Sequence, residues 1–289
     1  MRAAVLGAGV MGRNIARVLL CTGSAVALYS RTQASLDRAR SVLSEDGVGD
    51  IQYVRSITAA VAGVQVVIES VPESLPLKQA VLAEAQRAAP ENAVIATNTS
   101  SLPLERLAEG LDRPERFLGW HWFNPAHLIP LVEVIPVAAT EDDVVAWSLS
   151  HLTAAGKRPT LAPAIDGFLV NRLQYALIRE ALALVEDGYA TPEQIDAALT
   201  DCLGPRWAVI GPMRSTDLAG VPTAVAVARR LFPQLCNARA APRTLTDLES
   251  QGRLGAAAGA GFYDYDGGSD AAAERDRRLT AVLRVLAEA

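Results

Sequence analysis

The most constraining stretch of the chain is residues 4–20, AVLGAGVMGRNIARVLL: an apolar run, three glycines, then apolar residues at helical spacing. Gly7, Gly9 and Gly12 stand in G-x-G-x-x-G order. Between a strand and a helix each has a physical task. Gly7 permits a tight turn, Gly9 lets a pyrophosphate approach the backbone, and Gly12 lets the helix pack closely on the strand. The amides that open the helix, at Val10 and Met11, would then face the phosphates at the positive end of the helix dipole. A glycine triplet alone marks only a turn; at the first strand of an alternating chain it predicts a dinucleotide site.

The chain alternates in this way over residues 1–165. Strand-like runs are read at Ala3 to Leu6, Ala25 to Tyr29, Val64 to Ser70, Ala93 to Thr97, Phe117 to Trp120 and Leu131 to Ile135, with helix-period segments between them. That alternation is the pattern of parallel strands joined by crossover helices. VQVVIES and NAVIAT are nearly continuous apolar runs, as expected of strands covered on both faces. From about residue 166 the pattern becomes helical. NRLQYALIREALALVEDG has apolar residues at helical spacing, and TPEQIDAAL offers Thr191 as an N-cap, Pro192 at the first helical position and Glu193 in the first turn. The expected fold is α/β: a Rossmann-like doubly wound sheet domain, residues 1–165, followed by an all-helical C-terminal domain, residues 166–289.

Composition removes several functional classes. The 289 residues carry 27 Lys and Arg against 32 Asp and Glu, a formal net charge of −5. No global positive field exists to condense on nucleic acid or an anionic bilayer. Three widely spaced cysteines, Cys21, Cys202 and Cys236, form no CxxC pair, and the three histidines do not cluster with them. Neither a metal site nor a disulfide framework is expected. No apolar run reaches membrane-spanning length, and Met1 leads directly into a strand, so a cytoplasmic protein is expected.

The second strand ends at Tyr29-Ser30-Arg31-Thr32, where an NAD enzyme usually places an acid on the ribose 2′-hydroxyl. Here no acid is present. Ser30 donates hydrogen bonds, and the Arg31 guanidinium suits a 2′-phosphate. The sequence favours NADP over NAD, the alternative being that Arg31 is a solvated charge near the adenine.

Two later segments concentrate polar residues at strand ends: IATNTSSLPLERL at 95–107 and LGWHWFNPAHLIPLVEVI at 118–135. In open α/β sheets ligands bind at that edge, so Asn98, Ser100, His121 and Glu133 are expected to converge. With GAGVMG, G-F-L-V-N-R at 167–172 and G-x-G-F-Y-D at 259–264, these segments resemble the L-3-hydroxyacyl-CoA dehydrogenase family, including the L-gulonate 3-dehydrogenase branch. The resemblance implies that His121 is a general base for the substrate hydroxyl, a task suited to imidazole, which titrates near neutrality. It implies that Glu133 orients His121, that Ser100 and Asn171 hold the substrate oxygen, and that Glu73, Lys78 and Asn98 line the nicotinamide and its ribose. The site would lie in a cleft between the domains.

Plain structural roles compete with these. Ser100 and Ser101 could cap a helix beginning near Pro103, Glu133 could face solvent from its strand, and Asn171 could simply start a helix. His127 would at most line the pocket, and His151 reads as a helix-surface residue.

The chain also departs from the family. The Lys-rich helical hairpin after the second strand is replaced by a short segment, Thr32 to Ile51, whose basic residues are Arg38 and Arg40 and which carries Glu45, Asp46 and Asp50. LGPRWAVIGPMRSTDLAG at 203–220 is similar to the gulonate-type branch, and Asp166 replaces the usual Pro before Gly-Phe. Arg206 and Arg214 are candidates for a substrate carboxylate, the alternative in an acidic chain being that each pairs with a neighbouring Asp or Glu. The expected activity is oxidoreduction of a 3-hydroxyacyl thioester, short acyl-CoA or carrier-bound, with a nicotinamide cofactor. The alternatives are a free 3-hydroxy acid of the gulonate or carnitine type and a non-catalytic nucleotide-binding relative. Apolar helix faces such as Leu173 to Val185 lead to the expectation of a homodimer.

Overall fold

The computed structural model describes residues 1–44, 50–265 and 270–288; Glu45 and Asp46 lie outside the described residues. The chain divides into two compact units, Met1–Arg172 and Leu173–Ala289.

The first unit is built on eight strands: β1 (Arg2–Leu6), β2 (Ala25–Tyr29), β3 (Ile51–Val54), β4 (Val66–Glu69), β5 (Val94–Thr97), β6 (Phe117–Trp122), β7 (Leu131–Pro136) and β8 (Arg158–Leu161). Their order in the sheet is β3-β2-β1-β4-β5-β6-β7-β8. All neighbouring pairs are parallel except β6 with β7. The helices are α1 (Val10–Cys21), α2 (Gln33–Ser44), α3 (Ile57–Ala60), α4 (Leu75–Ala88), α5 (Leu104–Ala108) and α6 (Asp142–Ala154). Alternate residues of β1 enter opposite apolar layers, Ala3 and Val5 on one face and Ala4 and Leu6 on the other. This two-sided burial explains why the central strands read as apolar runs.

The sheet corrects the sequence reading in three places. The edge strands β3 and β8 were not among the expected strands. β3 (IQYV) is only partly buried, and β8 (RPTL) contains Pro159, which an edge strand tolerates because one side of its backbone needs no ladder partner. The pairing of β6 with β7 is antiparallel because only residues 123–130 join them, too few for a crossover helix.

The second unit is helical. Helix α7 (Val170–Glu186) carries the unit boundary within its first turn and is followed by α8 (Pro192–Ala198), α9 (Gly204–Ala219), α10 (Val221–Leu231), α11 (Arg243–Ser250) and α12 (Ala271–Glu288). Helix α8 starts with the Thr191 N-cap its sequence announces, and the structure extends this to a capping box: Thr191 Oγ1 accepts from the Gln194 amide and Gln194 Oε1 accepts from Thr191 N. Helix α9 breaks at Gly211, where φ is 68°, just before Pro212. Among the described residues of this unit Leu182 is the only buried apolar side chain, whereas Tyr175, Met213, Leu218 and Phe232 are 65–78% exposed.

Candidate active site

In the sheet order, β1 is flanked by β2 on one side and β4 on the other, so successive strands are laid outward in opposite directions from this point. A crevice opens at the carboxyl ends of such strands. Backbone bonds continue past the strand ends and stitch this edge together: Gly7 N to Tyr29 O at 2.9 Å, Ser70 N to Leu6 O at 2.8 Å and Asn98 N to Glu69 O at 2.8 Å.

The result is a cleft of about 540 Å³. Its floor is the glycine turn, Gly7 to Met11; one end is lined by Tyr29 to Thr32, the other by Ser70 to Glu73, Lys78, Asn98 and Ser100. Gly7 has φ 125°, and a side chain there would strike the Ser70 carbonyl; at Gly12 it would strike the Gly7 carbonyl. Gly9 has no heavy atom within 4 Å of where a Cβ would stand, and as N-cap of α1 it contributes no side-chain cap. The first amides of α1 are therefore presented toward open space with no acid in the first turn, which fits a pyrophosphate.

At the β2 end, Ser30 Oγ accepts from Thr32 N at 3.4 Å, Thr32 Oγ1 donates to Ser35 Oγ at 2.9 Å, and Arg38 Nη2 donates to the same Ser35 oxygen at 3.2 Å. Arg31 is exposed, and its carbonyl accepts from Arg55 Nη2 at 3.3 Å. Hydroxyls and guanidinium groups gather there, and among the described residues no carboxylate lines that end.

His121 and Glu133 sit directly opposite each other in the antiparallel β6–β7 pair. Such cross-strand partners point to one face of the sheet. His121 Nδ1 lies 2.7 Å from Glu133 Oε2, and both residues are buried. Because an ionised carboxylate only accepts, Nδ1 carries the proton of this bond, and in the neutral imidazole that leaves the lone pair on Nε2. Phe123 and Phe168 flank the imidazole at 4.4 and 5.4 Å between ring centroids. Glu133 Oε1 accepts from Leu169 N and Val170 N, both at 2.9 Å, at the start of α7. Burial alone would raise the Glu133 carboxyl, but the His121 bond and the Val170 and Leu169 amides hold it below the usual carboxylate range. The solvent-facing alternative for Glu133 is thereby removed.

Asn171, the next residue of α7, donates from Nδ2 to the Ser100 carbonyl at 2.9 Å. Asn98 lines the cleft and accepts the Trp122 amide at 2.9 Å, one residue beyond His121. The imidazole–carboxylate pair itself does not line the cleft; it is joined to it through Asn98 on one side and through Asn171 and Ser100 on the other. Ser100 and Ser101 do not cap α5, whose N-cap is Pro103 without a side-chain bond. Their amides instead donate to Glu73 Oε1 at 3.0 and 3.1 Å.

Three residues in and around the site escaped sequence reasoning. Glu69, the last residue of β4, is fully buried and accepts from Lys78 Nζ at 2.8 Å. Lys157 is buried and donates to Ala126 O at 2.7 Å and Ile129 O at 3.0 Å, bracing the loop that follows His121; burial lowers its ammonium to about 8. Arg55, the residue after the missed strand β3, donates from Nη2 to the Arg31 carbonyl. His151 bonds back to Trp147 O at 3.0 Å and stacks on that indole. Among the described residues no cluster of His, Cys, Asp or Glu could hold a metal ion, and no helix is long and apolar enough to cross a membrane.

A glycine turn at the point where strand order reverses, a cleft beside it and a helical second unit define a dinucleotide-dependent dehydrogenase. The profile of the 3-hydroxyacyl-CoA dehydrogenase NAD binding domain matches residues 2–164, and that of the 3-hydroxyacyl-CoA dehydrogenase C-terminal domain matches residues 167–265. The chain belongs to the 3-hydroxyacyl-CoA dehydrogenase family, whose members are NAD-dependent dehydrogenases acting on CH–OH groups. It is 34% identical to the 5-formyl-3-hydroxy-2-methylpyridine 4-carboxylate 5-dehydrogenase of Mesorhizobium japonicum, over 98% of this chain and 97% of the relative. It is 36% identical to the L-carnitine dehydrogenase of Nocardiopsis dassonvillei, over 99% and 91%. Among solved structures, a 5-formyl-3-hydroxy-2-methylpyridine 4-carboxylic acid 5-dehydrogenase described as an NAD+-dependent dismutase superposes with a TM-score of 0.94 at 33% identity, covering 99% of this chain and 98% of that one. The 3-hydroxyacyl-CoA dehydrogenase of Archaeoglobus fulgidus gives 0.73 at 32% identity, with 99% of each chain covered.

Proposed function

We propose that this dehydrogenase acts on the alcohol of a small free hydroxy acid, in preference to a CoA or carrier-bound thioester. The observation that carries this reading is full-length similarity to dehydrogenases named for a pyridine carboxylate and for carnitine. Among the described residues, the segment between β2 and β3 holds one helix, α2, where the acyl-CoA members that the chain resembles usually carry a longer Lys-rich hairpin, and this supports it. A steady-state panel of free 3-hydroxy acids, carnitine, 3-hydroxybutyryl-CoA and a carrier-bound 3-hydroxyacyl group tests it. The expected result is the highest kcat/KM on a free acid; a higher value on either thioester overturns it.

In the proposed chemistry His121 Nε2 takes the hydroxyl proton, Glu133 stabilises the imidazolium through Nδ1, and Ser100 and Asn171 hold the substrate oxygen. Nicotinamide supplies the hydride acceptor, or the donor in reverse. Gly7, Gly9, Val10, Met11 and Gly12 would hold the pyrophosphate, and Glu73, Lys78 and Asn98 would flank the nicotinamide half.

The proposed cofactor preference is NADP over NAD, on the hydroxyls and guanidinium groups at the β2 end. Arg31→Ala is expected to lower the NADP-to-NAD ratio of kcat/KM by about tenfold, the worth of one charge-assisted phosphate contact. An unchanged ratio would remove Arg31 from this role.

The proposed assembly is a homodimer in a cytoplasmic, reducing setting, which suits the free thiols of Cys21, Cys202 and Cys236. The second unit carries both an apolar groove of about 790 Å³, lined by Leu177, Ile178, Leu182, Leu248 and Phe262, and exposed apolar helix faces on α9 and α10. An apolar groove together with exposed apolar helix faces is what two copies need to cover each other. Size-exclusion with light scattering should read twice the chain mass; a monomer at micromolar concentration would exclude it.

A further inference from the structure

We propose that Glu69, Lys78 and Glu73 form one charge unit, with a surplus negative charge, that makes the cleft favour oxidised over reduced nicotinamide. The inference rests on the reading of the cleft as a dinucleotide site, and it concerns residues of this chain that no pyrophosphate or adenosine contact requires.

Glu69 Oε1 accepts from Val71 N at 2.6 Å and from Lys78 Nζ at 2.8 Å; its Oε2 accepts from Lys78 Nζ at 3.0 Å and from Thr97 Oγ1 at 2.7 Å. Lys78 Nζ also donates to Val71 O at 3.1 Å and reaches Glu73 Oε2 at 3.2 Å. All three ammonium donors are engaged by the protein, and Lys78 is only 1% exposed. Lys78 therefore presents no free charge to a ligand, although the residue lines the cleft. Glu73, whose side chain is 34% exposed, is the member that faces the open space. Its Oε1 accepts from Thr99 Oγ1 at 2.5 Å, from the Ser100 and Ser101 amides, and from Ser101 Oγ at 3.1 Å. Burial pushes its carboxyl up, but the Thr99 hydroxyl, the Lys78 ammonium and the Ser100 amide outweigh this and keep it ionised.

One ammonium thus stands against two carboxylates. The glycine turn would hold the pyrophosphate of a bound dinucleotide, and the β2 end would take its adenosine half. The nicotinamide half is left with the end that carries Glu73. Among the described residues, the charged side chains lining the cleft are Arg31, Glu73 and Lys78, and Arg31 is at the adenosine end. The oxidised ring is a cation and the reduced ring is neutral, so a net negative environment binds the first more favourably by Coulomb attraction.

The test is the ratio of dissociation constants for reduced and oxidised cofactor in the full chain, by nicotinamide fluorescence and calorimetry. Glu73→Gln is expected to weaken the oxidised form relative to the reduced form by about five- to tenfold. Glu69→Gln should move the ratio in the same direction. Thr99→Val removes a hydrogen bond and no charge, so the ratio should stay at the wild-type value. Equal weakening of both forms in Glu73→Gln would reduce the triad to a structural brace and overturn the proposal. Should buried Glu69→Gln fail to fold, Glu73→Gln on the cleft wall decides alone. Failure of the wild-type chain to bind either form would instead overturn the dinucleotide assignment of the cleft on which the proposal rests.

Discussion

His121→Gln is expected to lower kcat by about 10²- to 10⁴-fold, the range that a positioned general base contributes, while cofactor dissociation constants stay within about twofold of wild type. Glutamine is close to the imidazole in volume and can still donate to Glu133 Oε2, so the partner carboxylate is not left alone in the interior. What it lacks is a basic nitrogen able to take a proton at neutral pH. The glycine turn and the Tyr29–Thr32 wall do not include His121, which is why binding and turnover should separate. Stopped-flow hydride transfer with a competent substrate, paired with cofactor titration, checks both halves. Wild-type turnover in this variant would place the proton acceptor elsewhere.

Glu133→Gln is expected to be nearly as damaging, lowering kcat by about 10³- to 10⁴-fold, for a reason that the backbone enforces. Oε1 of Glu133 accepts two amides, Leu169 N and Val170 N. A glutamine at this position must keep its carbonyl oxygen there, because turning the amide would set its NH₂ against two N–H donors. Its NH₂ then faces His121 Nδ1, which has to become the acceptor. The imidazole is driven to the tautomer with its proton on Nε2, and the lone pair needed by the substrate hydroxyl is lost. Thermal unfolding should change little, since every hydrogen bond retains a partner. Glu133→Ala should differ by losing stability as well, about 3 kcal/mol, with two amides and an imidazole left buried without acceptors. The contrast between the two variants in kcat and in unfolding checks the tautomer argument: equal kcat in wild type and Glu133→Gln would discard it.

The parts of this structure that were legible in the sequence are those in which local pattern and tertiary role coincide. Strands β1, β2 and β4 to β7 are apolar because both faces are covered, and the glycine turn has one physical meaning in that setting. The Thr191 N-cap with Pro192 behind it is likewise a local pattern, although the reciprocal bond with Gln194 went unread. The edge strands β3 and β8 escaped because an edge is relieved of one covering partner, and with it of the apolar signal. Glu69 escaped for another reason. At the end of VVIE an acid looks like the point where a strand meets water, and only the fold brings Lys78, nine residues later, onto it. The amides of Leu169 and Val170 have no side-chain signature, so no reading of residue types could have found the second support of Glu133. The register of β6 against β7 was hidden as well: His121 and Glu133 are visible as candidates, but that they face each other depends on the short connection that makes the pair antiparallel.

The start of α7 on the Glu133 carboxylate bears on how such chains can be recombined. The two family profiles divide the chain between residues 164 and 167, which looks like a natural seam for joining halves of different relatives. The anchoring of the imidazole runs across that seam, from β7 to residues 169 and 170, and Asn171 adds the tie to Ser100. A chimera spliced at the seam would inherit its proton acceptor from one parent and the clamp on that acceptor from the other. A junction placed after Asn171 keeps the whole assembly from a single parent, and leaves the helical half to be exchanged as a cassette.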